Sequence, residues 1–149
     1  MRILRGGRLV YREPVSRTFG HQIECSGSTV WVVFFNGVGA SQEAYFGVRS
    51  GNGGQSWRVV FAEEYFNLKA PHQLVTGYLG PWALDGPRAA YFVGDCVACG
   101  FSKVWLWVTK DAGRTFRRYA VPWPRGAPSA SVHVPGRTVT ISAHHVRIS

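Results

Sequence analysis

An all-β fold is what this sequence predicts, and three observations predict it. Short continuous apolar runs rich in Val, Phe, Trp and Tyr are punctuated by Gly, Asn and Asp, which suits strands better than helices. Two hairpin patterns repeat at an offset of 59 residues, from Ser50 to Thr109. Six Trp, nine Phe and six Tyr in 149 residues give the chain enough apolar material for one cored domain and exclude a disordered tail.

In chain order, a first strand is expected around Arg8–Tyr11. Thr29–Phe35 is a continuous apolar run ending at Asn36-Gly37, as for a strand buried on both faces. Ala44–Val60 follows as a hairpin, and Ala62–Lys69 has the makings of two helical turns. The pattern then repeats. A strand is expected around Gln73–Thr76, another at Arg88–Val93 ending at Gly94-Asp95, and a second hairpin at Lys103–Tyr119. Pro122–Pro128 reads as an extended linker, because its prolines cannot donate to a ladder. Ser131–Val134, a turn at Pro135-Gly136 and Thr138–Ile141 begin a third unit.

Residues 1–149 therefore read as a single β domain of propeller-type, antiparallel four-stranded units, about two and a half blades in all. Unit one is about 7–66, unit two about 67–124 and a partial third about 125–149.

Both hairpins turn on the same pattern: Ser50-x-Asn52-x-Gly54-x-Ser56-Trp57 and Thr109-x-Asp111-x-Gly113-x-Thr115-Phe116. An Asn or Asp side chain accepts hydrogen bonds from turn N–H groups. Gly supplies a positive φ. The hydroxyl residues tie the two arms together, and the aromatic starts the returning strand and packs between sheets. These roles are structural and catalyse nothing.

The pattern S-x-D-x-G-x-T-W is the Asp box, and over roughly residues 29–119 the chain resembles the BNR/Asp-box family of sialidases and related propeller proteins. Tyr11-Arg12-Glu13-Pro14 is similar to the family's N-terminal Phe-Arg-Ile-Pro-like motif, and the resemblance puts Arg12 in the place of the carboxylate-binding arginine. The family's acid/base Asp would have to precede the first box. Here no Asp precedes Asp85, and Glu24 and Glu43 are the only carboxylates between Glu13 and that box. The family's later arginines and tyrosine nucleophile belong to blades beyond these units. The resemblance thus implies a non-catalytic binding or interaction module for a glycan or an anionic partner. The alternative is a partial or degenerate sialidase-like glycoside hydrolase.

Seventeen basic against eight acidic residues, a net charge of +9, favour an acidic glycan or acidic protein partner. Nucleic acid is a weaker candidate, because no recognised nucleic-acid motif accompanies the charge. Candidate ligand contacts are Arg12, Trp82 in the expected loop Leu79–Trp82, Arg117 and Arg118 beside Tyr119, and Trp123 in the linker. No cofactor is expected, since phosphate-loop, dinucleotide and HExxH patterns are all missing. No metal is expected either. His144 and His145 are adjacent on an expected strand and would point to opposite faces. Cys25 and the pair Cys96 and Cys99 are expected at opposite sheet ends, as free thiols or with a local Cys96–Cys99 disulfide. Without a secretory leader or a run of about 20 apolar residues, the chain as written reads as cytoplasmic and off the membrane, or as a piece of a secreted protein. Two units and a fraction should leave an aromatic sheet face uncovered, from which a homo-oligomer or membership of a larger propeller is expected.

Overall fold

A computed structural model of the chain describes residues 2–5, 8–12, 20–39, 42–63, 70–74, 77–95 and 104–149. The described residues form strands joined by turns and bends, with no helix among them. Strands β1 (Arg2–Arg5) and β2 (Arg8–Arg12) form a two-stranded sheet and, among the described residues, pair with no other strand. The first large sheet is the antiparallel meander β3 (Gly20–Ser26), β4 (Thr29–Gly39), β5 (Gln42–Ser50) and β6 (Arg58–Ala62), to which β7 (His72–Gln73) adds in parallel. The second is β8 (Tyr78–Asp85), β9 (Ala89–Asp95), β10 (Val104–Thr109) and β11 (Arg117–Val121), again a meander. The third is β12 (Ser129–Val134), β13 (Arg137–Ser142) and β14 (Val146–Ile148).

Strand alternation decides which sheet packs on which. Along β9, Phe92 points one way and Tyr91 and Val93 the other, as the two-residue period requires. Phe92 joins Trp31, Val33, Tyr45, Phe61, Leu74, Leu79 and Trp82 in a buried cluster between the first and second sheets. Its ring stands edge-on to Phe61 at 4.8 Å and tilted to Trp31 at 5.7 Å. Tyr91 and Val93 join Leu106 and Val108 against Val132, Val134, Val139 and Ile141, which closes the second sheet on the third. Each fully buried side chain of this size contributes roughly 1.5–3 kcal/mol. The far face of the first sheet is buried too, with Phe34 stacked on Phe46 at 4.9 Å beside Val32, Val48 and Ala62. Gly47 makes room on the face toward the second sheet, because a Cβ there would lie 2.3 Å from the Phe61 ring.

The outer face of the third sheet is different. Ser129, Ser131 and His133 alternate with the buried Ala130, Val132 and Val134 and are exposed. Ser131 and Thr140 share a 3.0 Å hydroxyl hydrogen bond, and Thr138 meets His133 Nδ1 at 3.1 Å. Among the described residues the exposed large hydrophobics are Ile23 and Val38 alone. The expected uncovered aromatic face is therefore not found among the described residues; the outer face of the third sheet is hydroxylic.

Several sequence expectations need correction. The strand around Arg8–Tyr11 forms, but it pairs with β1, and the partner of β4 on its outer side is β3. The expected loop Leu79–Trp82 lies within β8, near its start, and the strand holds its pairing with β9 by a register shift between Leu79 and Trp82. Pro81, with no N–H to offer, sits inside that irregularity. The second sheet thus starts with β8; of the strand expected around Gln73–Thr76, Gln73 belongs to β7, Leu74 follows it, and Val75 and Thr76 lie outside the described residues. Ala62 ends β6 rather than opening a helix, and residues 64–69 are outside the described set. His144 and His145 occupy the connection between β13 and β14 and not a strand, with ring centroids 6.5 Å apart. Cys25 is a free, exposed thiol near the end of β3, and Cys96 and Cys99 lie outside the described residues.

Candidate functional site

The two repeated turns have the same internal chemistry. In the first, Ser50 Oγ accepts from Gly54 N at 2.8 Å and donates to Asn52 Oδ1 at 2.9 Å. Asn52 Oδ1 also accepts from Ser56 N at 3.0 Å, and Asn52 Nδ2 donates to Ser56 Oγ at 2.9 Å. In the second, Thr109 Oγ1 accepts from Gly113 N at 2.8 Å and donates to Asp111 Oδ1 at 2.9 Å. Asp111 then accepts from Thr115 N at 2.9 Å, from Arg114 N at 3.0 Å and from the Thr115 hydroxyl at 2.6 Å. Gly54 and Gly113 take φ of 81° and 80°. The aromatics close the motif differently. Trp57 donates its indole N–H to Gly54 O at 3.1 Å and packs on the far face of the first sheet. Phe116 packs between the first and second sheets, edge-on to Phe61 at 5.9 Å.

Burial would push the Asp111 carboxyl up, but the hydrogen bonds from the Thr115 hydroxyl and amide, Thr109 and Arg114 outweigh it and bring it down to about 2. Its oxygens are consumed by the turn. The other described carboxylates are dispersed. Glu43 accepts from Leu79 N at 3.2 Å, and burial raises its pKa against that bond. Asp85 pairs with Arg137 at 2.8 Å, bridging the second and third sheets. Glu24 is exposed on β3 and Glu63 is buried beyond the end of β6. Among the described residues no three metal-binding side chains group together.

The other end of the second sheet is open. Tyr78, Asp95 and Val104 stand in one row across β8, β9 and β10, since Asp95 is the register partner of both others. With Trp123, the Ile141–Ser142 end of β13 and Ala143 beyond it, they line a cleft of about 430 Å³ between the second and third sheets. Gly80, Pro81 and Val93 complete its floor. Trp123 is held there by its indole N–H, which donates to Ala127 O at 3.0 Å across the Pro-rich turn. Asp95 is exposed at the rim and is the one carboxylate among the lining residues described.

Of the expected ligand contacts, Trp123 lines this cleft. Trp82 does not sit on a loop. It is buried in β8, stacked on Phe92 at 5.3 Å, and donates its indole N–H to Gln22 Oε1 at 2.6 Å. Arg117 and Arg118 do not form one patch, because neighbouring residues of β11 face opposite ways. Arg117 and Tyr119 line a smaller cavity of about 320 Å³ beside Asp111 and Pro135. Arg118 lies over the rings of Trp105 at 4.3 Å and Trp107 at 5.6 Å on the other face. Arg12 ends β2 opposite Arg2, its side chain lying outside the described set together with Glu13 and Pro14.

The sequence reading missed Tyr78 and Asp95. Asp95 was legible only as a strand end, and Tyr78 opens a strand whose Gly80-Pro81 step reads as a loop. A scan against family models and searches of the curated proteins and the solved structures find no match for this chain.

Proposed function

We propose that the chain is a non-catalytic binding module of the Asp-box type, built of propeller-type units, whose ligand is a glycan seated in the Tyr78–Trp123 cleft. The observation that carries this reading is the cleft's composition. Tyr78 and Trp123 line it with aromatic surface of the kind sugar rings stack on, and Asp95 lines it with a carboxylate that can accept from sugar hydroxyls. A cleft of about 430 Å³ falls in the ordinary range for small-ligand sites. The repeated turns support the same reading from the other end of the sheet. Their hydroxyl, amide and carboxylate groups bond within the turns themselves, which leaves them a scaffold role. Glycoside hydrolysis by the usual route needs two carboxyl groups flanking one bond, and the described carboxylates other than Asp95 are engaged or lie elsewhere.

A glycan array followed by titration calorimetry tests the proposal. Trp123→Ala should weaken the best ligand by roughly tenfold or more, as loss of a stacking ring and its contacts does. Asp95→Asn should weaken it less and leave melting unchanged. An array without any ligand, or binding indifferent to Trp123→Ala in a folded variant, would remove the cleft from consideration.

A further inference from the structure

Four arginines meet at the turn end of the first two sheets, away from the cleft. Arg49 of β5 and Arg58 of β6 are direct cross-strand partners. Like charges placed opposite each other in this way destabilise a sheet, so the pairing calls for a compensating partner. Among the described residues no carboxylate pairs with either arginine, and Arg49 lies over the Trp31 ring at 5.9 Å. Arg49 donates to Pro87 O at 3.0 Å and to Thr29 Oγ1 at 3.3 Å. Arg58 donates to Ala112 O. Both guanidinium groups thus reach out of the first sheet onto the two turns of the second, 86–88 and 111–114. Those turns bring Arg88 and Arg114, and they are tied to each other by Ala112 N donating to Arg88 O at 2.7 Å. Burial, then the charges of Arg58, Arg114 and Arg88, depress the Arg49 pKa below its ordinary value. Gly51 keeps the space open, since a Cβ there would lie 3.0 Å from an Arg49 guanidinium nitrogen. The nearest acids in sequence are engaged elsewhere: Asp111, three residues before Arg114, by its own turn, and Asp85, three residues before Arg88, by Arg137. Among the described residues the one arginine–carboxylate pair is Arg137 with Asp85, at the second sheet's border with the third.

We infer that Arg49, Arg58, Arg88 and Arg114 form a binding site for a tetrahedral oxyanion, the phosphate or sulfate group of an anionic ligand. Guanidinium forks match such groups with paired, charge-assisted hydrogen bonds. Arg49 and Arg58 are pre-positioned by their carbonyl contacts, and Arg88 and Arg114 are exposed on turns where they can close on the anion. This site is separate from the glycan cleft and does not depend on it.

The test titrates inorganic phosphate and inorganic sulfate into the full chain at constant ionic strength, with chloride as the control anion. Calorimetry and melting temperature are the readouts. The double variant Arg88→Gln with Arg114→Gln removes two exposed heads for which no structural bond is described, and Arg125→Gln serves as an exposed-arginine control. Phosphate or sulfate should raise the melting temperature where chloride does not, and the double variant should bind roughly tenfold more weakly, as loss of charge-assisted bonds demands. Arg125→Gln should bind like the parent. Phosphate affinity should rise from mildly acidic to neutral pH as the second proton leaves, while sulfate affinity stays level. A sulfated oligosaccharide and a sugar phosphate of equal charge then show which source is preferred. No stabilisation beyond chloride, or equal loss in Arg125→Gln and the double variant, would overturn the inference. Trp123→Ala provides the separation from the cleft: it should leave phosphate and sulfate binding intact.

Discussion

Gly113 lies directly against Val60: a Cβ built on the glycine would stand 2.3 Å from Val60 Cγ1 and 2.9 Å from the Trp31 ring. The second turn is therefore wedged into the first sheet, with no room for a side chain. Gly54, its counterpart, has the same φ, but its nearest neighbour is its own Trp57 at 3.6 Å. Gly54→Ala should cost about 1–2 kcal/mol from backbone strain alone. Gly113→Ala should cost about 3–4 kcal/mol, because overpacking adds to the same strain. Denaturant melts of the two variants check this. Equal losses would show that the wedge carries no energy.

Ala112 is the described non-glycine residue with a positive φ, 64°, and the matching position of the first turn is Gly53 at 65°. An alanine there is strained, whereas glycine relieves the strain at some cost in unfolded-chain entropy. Ala112→Gly should therefore stabilise the fold by roughly 0.5 kcal/mol. A lower melting temperature for the variant would contradict this.

Acid should loosen one turn and not the other. The Asp111 carboxyl falls from an ordinary 3.8 to about 2 in the folded chain, so the unfolded chain holds the proton more tightly. The resulting stability is fully present above about pH 4 and is lost as pH falls through about 2. Solvent screening at this surface turn limits it to roughly 1 kcal/mol. Asn52 occupies the same place in the first turn and does not titrate. Relative to the intrinsic exchange rate at each pH, the protection of the Thr115 amide should fall at low pH while that of Ser56 changes little by comparison. Asp111→Asn should flatten the Thr115 response.

Trp82 offers a direct check on its placement in β8. Trp82→Phe keeps an aromatic ring to pack on Phe92 and loses the bond to Gln22, which should cost about 1 kcal/mol. Trp82→Ala should cost about 3–5 kcal/mol as a large-to-small change in a packed core. A Trp82→Ala variant that melts like the parent would return this residue to the surface.

The repeated turns were legible because their hydrogen bonds close within eight residues, so the pattern at 50–57 and 109–116 carries the geometry with it. The strands feeding them were legible as apolar runs. The outer strands were not. β3, Gly-His-Gln-Ile-Glu-Cys-Ser, is exposed over most of its length and has no buried face to print an alternation. β8 contains Gly80-Pro81, which signals a break, yet the sheet absorbs it as an irregularity in register. The cleft needed the same missing strand, because Tyr78 meets Asp95 only through the pairing of β8 with β9. Arg49 and Arg58 face each other only once the hairpin register is known.

The hydroxyl-bearing face formed by Ser131, His133, Thr138 and Thr140 gives the stack a grammar for lengthening. A duplicated unit laid on that face would set its apolar residues against hydroxyls and an imidazole. The same unit spliced into the Pro122–Pro128 connection would find Leu106 and Val108 on one side and Val139 and Ile141 on the other. Growth by internal duplication is thus favoured at the seam and opposed at the rim. Copies of the chain likewise cannot polymerise through that rim by apolar burial, and any association there would have to rest on polar contacts.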